Sequence, residues 1–156
     1  GSIALFRGSA SGVMPMQTLT NTDSGFGVSV ASLGDVNADG FSDIIVGTFN
    51  NTVYAYYGGA TTLPNSASVV LPGVAGSGFG ISVSGAGDTN GDDFDDMLVG
   101  AHLAPFSGRG GPGSAYLYVG ASSVSPSPRL TFRGVAGDDF GAAVALRFRL
   151  PVRFGG

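Results

Sequence analysis

The stretch Gly25–Val30, which reads GFGVSV, decides the fold because it recurs along the chain. It returns as GFGISV at Gly78–Val83 and as DFGAAV at Asp139–Val144. The copies start at residues 25, 78 and 139, so they are 53 and then 61 residues apart. Self-similarity at a period of roughly fifty residues indicates a repeat architecture.

The first two copies are followed by the same short pieces in the same order. Each piece has four to eight residues, is rich in Val, Ile, Phe or Tyr, and is bounded by Gly, Asn, Asp or Pro, as strands and turns are. Four short strands in a repeat of this length predict a propeller blade. The matching pieces are 34–40 with 87–93, 43–47 with 96–100, 52–58 with 114–120 and with 2–8, and 68–71 with 129–132 and with 16–19.

The sequence therefore predicts an all-β fold of β-propeller blades, each with four antiparallel strands, and about three blades in this chain. We assign a half blade to residues 1–24, repeats to 25–77 and 78–138, and a partial third repeat to 139–145. Propellers close with about four to eight blades, and an open arc exposes strand edges that invite pairing. We expect two chains to complete a six-bladed ring by two-fold symmetry, as a homodimer.

Composition excludes several classes of protein. The 156 residues carry 12% charged side chains and a net charge of −4, and they include no Cys. A disordered polyelectrolyte and thiol chemistry are excluded. We expect no nucleic-acid partner, because no basic patch covers the chain, and no membrane span, because no apolar run is long enough. All eleven acids are Asp, and eight of them lie within 35–43 and 88–96.

These two acidic windows share one spacing of oxygen-bearing side chains, at relative positions 1, 3, 5 and 9. Calcium takes six to eight oxygens from carboxylates, amides and main-chain carbonyls, and packed carboxylates repel one another without a cation. The spacing predicts two Ca²⁺ sites per chain; the alternative is a pair of polar hairpin turns. The predicted ligands are Asp35, Asn37, Asp39, Asp43 and the carbonyl of Phe41, and Asp88, Asn90, Asp92, Asp96 and the carbonyl of Phe94.

The two windows differ at position 6, which is Gly40 in the first and Asp93 in the second. This position usually needs a left-handed backbone, which Asp tolerates better than most residues. We therefore expect the second site to be slightly strained or weaker.

The order of Phe-Gly, the acidic loop, Val-Gly and a Tyr-rich strand resembles the FG-GAP repeat of integrin alpha-subunit propellers and their bacterial and fungal relatives. The resemblance covers nearly all of residues 1 to about 145. It implies calcium in the hairpin loops between the first and second strands of a blade, held by the eight side chains named above. Two features depart from the family: the Gly-Ala-Pro element is degenerate, and known family propellers are usually seven-bladed single chains.

The third copy lacks an acidic loop, since Arg149 stands where the first loop Asp is expected. Apolar residues then alternate with Arg or Pro through 146–154, which is typical of an edge strand with one cationic face. We assign 146–156 to a tail foreign to the repeat, arising from truncation, a frame change or engineering. It is either a strand that docks on a partner chain or a disordered tail.

The function predicted from these features is that of a non-enzymatic, calcium-binding propeller fragment or oligomer acting as a binding or structural scaffold for a protein or matrix ligand. Extracellular modules bind calcium at about 10⁻⁴–10⁻³ M, and we expect an extracellular or secreted protein. One alternative is a calcium-dependent, lectin-like propeller that binds glycans; another is an engineered or truncated fragment without a native ligand. Catalysis is disfavoured because Asp23, Asp138, Asp139 and the single His102 leave few titratable groups outside the loops.

Overall fold

The computed structural model describes residues 1–104, 111–135 and 137–146. These ranges contain ten strands and no helix, and so no helix that could cross a membrane. The strands are β1 Ser2–Ser9, β2 Gly12–Thr20, β3 Ser29–Gly34, β4 Asp43–Gly47, β5 Thr52–Tyr56, β6 Val69–Pro72, β7 Phe79–Gly87, β8 Asp96–Ala101, β9 Ser114–Tyr118 and β10 Leu130–Arg133.

The strands form three antiparallel sheets, in which neighbours along the chain are neighbours in space. β1 pairs with β2, β3 to β6 form one four-stranded sheet, and β7 to β10 form another. Each four-stranded sheet is an up-and-down meander, the arrangement of a propeller blade. The predicted all-β fold with blades of four antiparallel strands is confirmed.

The main core lies between the two four-stranded blades. Val53 and Leu71 of the first blade pack in one cluster with Phe79, Met97 and Val99 of the second, and none of the five is more than 2% exposed. All six residues of β8 are buried, because this strand is covered on both faces. This explains why its sequence, DMLVGA, is nearly continuously apolar rather than alternating.

A second cluster joins the N-terminal pair of strands to the first blade. Leu19 of β2 is buried with Phe26, Val46 and Tyr56, and Ile3 of β1 packs against them. The two-stranded sheet therefore covers the outer face of the first blade, where the neighbouring blade of a propeller would lie.

The Phe-Gly motif links consecutive blades through a repeated hydrogen bond. The Ser29 hydroxyl of the first blade donates to the Gly80 carbonyl of the second over 2.8 Å. The equivalent Ser82 donates to the carbonyl of Gly141, in the third copy, also over 2.8 Å. Gly80 and Gly141 have φ angles of 88° and 87°, where a side chain is disfavoured. The motif thus uses glycine to aim a carbonyl at the preceding blade.

The third copy differs from the first two. The sequence assigns residues 139–145 to a partial third repeat, yet Phe140 is 39% exposed. The described residues 137–146 contain no strand and only an isolated bridge from Phe140 to Gly113. Phe26 and Phe79 each pack edge-to-face on two tyrosines of their own blade, whereas no tyrosine follows Phe140 in the sequence. Of the predicted tail, all but Leu146 lies outside the described residues.

Candidate metal centre

Each acidic loop connects the first strand of a blade to the second. The first loop runs from the end of β3 to Asp43, the first residue of β4, and the second from the end of β7 to Asp96, the first residue of β8. Both loops therefore occupy the same place in consecutive blades. In each case the ligand predicted at position 9 is anchored in the sheet, and the other ligands lie on the exposed turn.

In the first loop, two predicted ligands accept the main-chain N–H of a third. The N–H of Asp39 lies 3.0 Å from Asp35 Oδ1 and 3.3 Å from Asn37 Oδ1. The amide nitrogen of Asn37 also donates to Asp39 Oδ2 over 2.8 Å. The side chains at positions 1, 3 and 5 are therefore linked by hydrogen bonds within the loop.

The second loop repeats this arrangement residue by residue. The N–H of Asp92 lies 3.2 Å from Asp88 Oδ1 and 2.9 Å from Asn90 Oδ1. Asn90 again donates to Asp92 Oδ2, over 2.9 Å. The repetition shows that the arrangement belongs to the repeat and does not depend on the residues that differ between the loops.

The carboxylate of Asp43 lies fully buried beneath the first loop. Its Oδ1 accepts the N–H of Gly58 over 2.7 Å, and its Oδ2 accepts the N–H of Val36 over 2.8 Å. Burial raises the pKa of Asp43; the two main-chain hydrogen bonds act against this, and repulsion from Asp39 and Asp35 adds to it. The three carboxylates of the first loop thus interact electrostatically, and a divalent cation among them would favour the ionised form of Asp43.

Asp96 holds the equivalent position in the second loop and is also fully buried. Its Oδ1 accepts the N–H of Gly120 over 2.9 Å, and its Oδ2 accepts the N–H of Thr89 over 3.0 Å together with the Thr89 hydroxyl. Asp43 and Asp96 therefore each connect the loop, the second strand and the end of the third strand. The two carboxylates thus make equivalent hydrogen bonds in the two blades.

Asp88, the first ligand of the second loop, is held in its ionised form. Loss of hydration acts to raise its pKa, but hydrogen bonds from the main-chain N–H groups of Asp93, Gly91, Asp92 and Asn90 outweigh this, and the pKa is lowered. An ionised carboxylate at this position provides the charge that a cation requires.

Two positions of each loop have a left-handed backbone. At position 6, Gly40 has a φ of 88° and Asp93 a φ of 70°; at position 4, Ala38 has a φ of 57° and Gly91 a φ of 81°. The expected left-handed conformation of Asp93 is confirmed. Sequence analysis missed Ala38, which has no polar side chain to ease that conformation. Backbone strain is therefore present in the first loop as well as in the second.

We expect Ala38→Gly to increase the free energy of unfolding by about 1 kcal/mol, because a non-glycine residue in the left-handed region costs roughly 1–2 kcal/mol. The matched control is Gly91→Ala at the same position of the second loop, which should decrease stability by a similar amount. A Cβ on Gly91 meets no atom within 4 Å, so steric overlap adds nothing. Urea denaturation in EDTA measures both changes, and equal stabilities for all three proteins would contradict the assignment.

The donor set of each loop suits calcium, since three carboxylates and an amide supply only oxygen ligands. The carboxylates at position 5 accept main-chain N–H groups in the structure. Asp39 accepts the N–H of Phe41 over 2.9 Å, and Asp92 accepts the N–H of Phe94 over 3.1 Å. Within residues 1–104, 111–135 and 137–146, no three His, Cys, Asp or Glu side chains are gathered closely enough to hold a metal. Repulsion between carboxylates favours this spread arrangement, in which each one accepts main-chain N–H groups instead.

Sequence reasoning missed the role of Asp95, at position 8 of the second loop. Its Oδ2 accepts the N–H of Asp35 over 2.8 Å, and its own N–H donates to the Asp35 carbonyl over 3.0 Å. Asp95 therefore contacts the first loop although it belongs to the second. The only signal in the sequence is that position 8 is acidic here, whereas the first loop has Ser42.

The third-strand tyrosines pack within the blades. Tyr54 and Tyr56 contact the ring of Phe26, with centroids 5.9 and 6.5 Å away, and Tyr116 and Tyr118 contact Phe79 at 5.6 and 6.4 Å. Burial raises the pKa of Tyr118 to about 12. These four tyrosines therefore pack within the blades.

Comparison with known proteins agrees with this geometry. Residues 79–118, which include the second acidic loop and three strands of its blade, match the model of the FG-GAP repeat. This chain contains an FG-GAP repeat.

Several integrin alpha subunits are similar in sequence to this FG-GAP chain. Integrin alpha-7 of Homo sapiens is 40% identical over 95 residues, covering 58% of this chain and 8% of that protein. Integrin alpha-3 of Mus musculus is 34% identical over 135 residues, covering 78% of this chain and 12% of that protein. The chain thus spans about a tenth of the length of these curated relatives.

Proposed function

We propose that this chain is a calcium-stabilised, non-enzymatic part of a β-propeller that serves as a binding or structural scaffold. The observation that supports this best is the repetition of one oxygen-rich arrangement at the same point of two consecutive blades. A hairpin turn needs only one or two Asp, Asn or Gly residues. Each loop instead carries three carboxylates and an amide at fixed spacing.

In this proposal, the first ion is held by Asp35, Asn37, Asp39, Asp43 and the carbonyl of Phe41. The second is held by Asp88, Asn90, Asp92, Asp96 and the carbonyl of Phe94. Calcium would neutralise the carboxylates and cross-link each turn to the sheet below it. With two ions the formal charge of the chain becomes −4 + 4, or zero, so the acidic residues serve the metal sites and not an acidic surface.

The proposed setting is extracellular or secreted, where calcium near 10⁻⁴–10⁻³ M can fill sites of this type. Similarity to integrin alpha subunits supports a scaffold that binds a protein or matrix ligand. The glycan-binding alternative gains no support from the third-strand tyrosines, because four of them are engaged in packing within the blades.

Two apolar faces at opposite ends of the described arc are open. On β1 and β2, Phe6 is 60% exposed and Val13 73%; on β10, Leu130 is 51% exposed and Phe132 45%. Further blades would cover such faces, supplied either by the same polypeptide or by another chain. The homodimer with a six-bladed ring stays a prediction, and the solution mass by light scattering tests it.

Thermal unfolding tests the calcium proposal. At 5 mM, calcium exceeds a Kd of 10⁻⁴–10⁻³ M about 5- to 50-fold, so each filled site gains about 1–2 kcal/mol. Each kcal/mol shifts the midpoint of a domain of this size by about 2–4 °C. We therefore expect the Tm in 5 mM CaCl₂ to exceed the Tm in EDTA by about 5–15 °C. MgCl₂ at the same concentration is the control and should shift the Tm much less. Identical melting curves in calcium and EDTA would reject the proposal.

A further inference from the structure

Asp95 fits tightly between the two acidic loops. Besides its two hydrogen bonds with Asp35, its carboxylate occupies the space beside Gly34, where a Cβ would come within 1.9 Å of Asp95 Oδ2. Gly34 has a φ of 81°, so its backbone also suits glycine. The first blade thus provides a specific place for a side chain from the loop of the second.

A second connection runs through buried main-chain groups. Val36, which is fully buried, donates its N–H to Asp43 Oδ2 over 2.8 Å, and its carbonyl accepts the N–H of Ala121 over 2.9 Å. The residue before Ala121 is Gly120, whose N–H donates to Asp96 Oδ1 over 2.9 Å. Hydrogen bonds and the main chain of Val36 and Gly120 therefore connect the buried carboxylate of the first loop to that of the second.

We propose that Asp95 is a positioning residue that couples the two cation loops, so that calcium in one loop increases the affinity of the other. This inference rests on the proposed function. Asp95 lies between Phe94 and Asp96, two proposed ligands of the second ion. An ion that fixes both neighbours also fixes Asp95, and Asp95 in turn fixes the main chain of Asp35, the first ligand of the other site. The second ion to bind then has less of its loop to order.

The coupling must be reciprocal, since each ion changes the affinity of the other by the same factor. The side chain in this contact comes from the second loop, and it binds the main chain of the first loop. A substitution at position 95 should therefore alter the first site, 60 residues away from it in sequence at Asp35. A residue that only supported its own loop would not have this effect.

Calcium titration of the full chain, followed by ¹⁵N NMR at the Gly40 amide, tests the coupling. This amide donates to Asp35 Oδ2 over 2.8 Å and so reports on the first loop alone. Disabling the second loop by Asp92→Asn should weaken calcium binding at the first by about 5- to 10-fold. In a chain that also carries Asp95→Ala, the same substitution should change that affinity by a clearly smaller factor, as a double-mutant cycle measures. Some coupling remains because the connection through Val36 and Gly120 is main chain.

Two further variants separate positioning from charge. Asp95→Asn removes the charge but keeps an oxygen that can accept the N–H of Asp35, and it should restore the coupling. Asp93→Asn removes a neighbouring exposed charge and should leave the coupling intact. If Asp95→Asn behaves as Asp95→Ala does, or if Asp93→Asn abolishes the coupling, the effect is one of charge and the positioning role is overturned.

The remaining outcomes are distinct. A Gly40 amide that responds to calcium with the same affinity whether or not the second loop is intact would overturn the coupling and leave the calcium sites standing. A Gly40 amide that does not respond to calcium in the unsubstituted chain would overturn both the calcium site and the coupling.

Discussion

Asp96→Ala should destabilise the protein by about 3 kcal/mol or more in EDTA, because each buried donor left without a partner costs about 1–3 kcal/mol. The substitution removes the acceptor of the Gly120 and Thr89 main-chain N–H groups and of the Thr89 hydroxyl. The residue is fully buried, so water does not readily replace the lost carboxylate. Urea denaturation followed by far-UV circular dichroism measures the change.

The matched control is Asp93→Asn, which removes a carboxylate from the same loop at an exposed position. It should alter stability by less than about 0.5 kcal/mol, as surface substitutions usually do. Asp43→Ala leaves two main-chain donors of the first blade without an acceptor. It should also decrease the free energy of unfolding, by less than Asp96→Ala does. If Asp96→Ala and Asp93→Asn had equal stabilities, the buried carboxylate would not anchor the loop as described.

Gly47→Ala should destabilise the protein by about 3 kcal/mol, at the upper end of the usual range for overpacking. A Cβ at this position would lie 1.9 Å from the Gly80 carbonyl oxygen and 2.3 Å from Ser29 Oγ. The first contact is with main chain, so the two blades must move apart to relieve it. The substitution therefore disrupts the hydrogen bond from Ser29 to Gly80, as well as the core between the blades.

Two variants calibrate this result. Gly8→Ala, on β1, meets no atom within 4 Å and should be nearly neutral. Ser29→Ala removes the interblade hydrogen bond without overlap and should cost about 1 kcal/mol. A neutral Gly47→Ala would show that the blades do not approach as closely as the structure has them.

Much of the fold was predictable because the repeat shows each element more than once. The pieces 43–47 and 96–100 became β4 and β8, and the acidic windows became the loops that precede them. When one pattern occurs twice, the residues shared by both copies indicate the structure, and the differing residues indicate local variation. A single short strand does not allow this comparison. The third copy shows the limit of this approach, because it repeats only the Phe-Gly part of the pattern. Phe140 lacks the tyrosines that bury Phe26 and Phe79, and it is exposed.

Contacts between blades could not be predicted from the sequence. Asp95 looks like one more acid of the second loop, and only the packing of the blades brings it to Asp35. Ser29 likewise looks like an ordinary strand residue, although its hydroxyl bonds to the next blade. Ala38 was missed because its left-handed φ is imposed by the loop around it and contradicts its own preference.

The number of calcium ions bound per chain tests the central claim most directly. Equilibrium dialysis at 10 mM calcium, about ten times the upper end of the Kd range for such sites, should find about two ions on the unsubstituted chain. It should find no more than about one on each of two single-loop variants, Asp39→Asn and Asp92→Asn. Circular dichroism confirms that each variant remains folded. An unsubstituted chain that binds no calcium, or two variants that still bind two ions, would contradict the account.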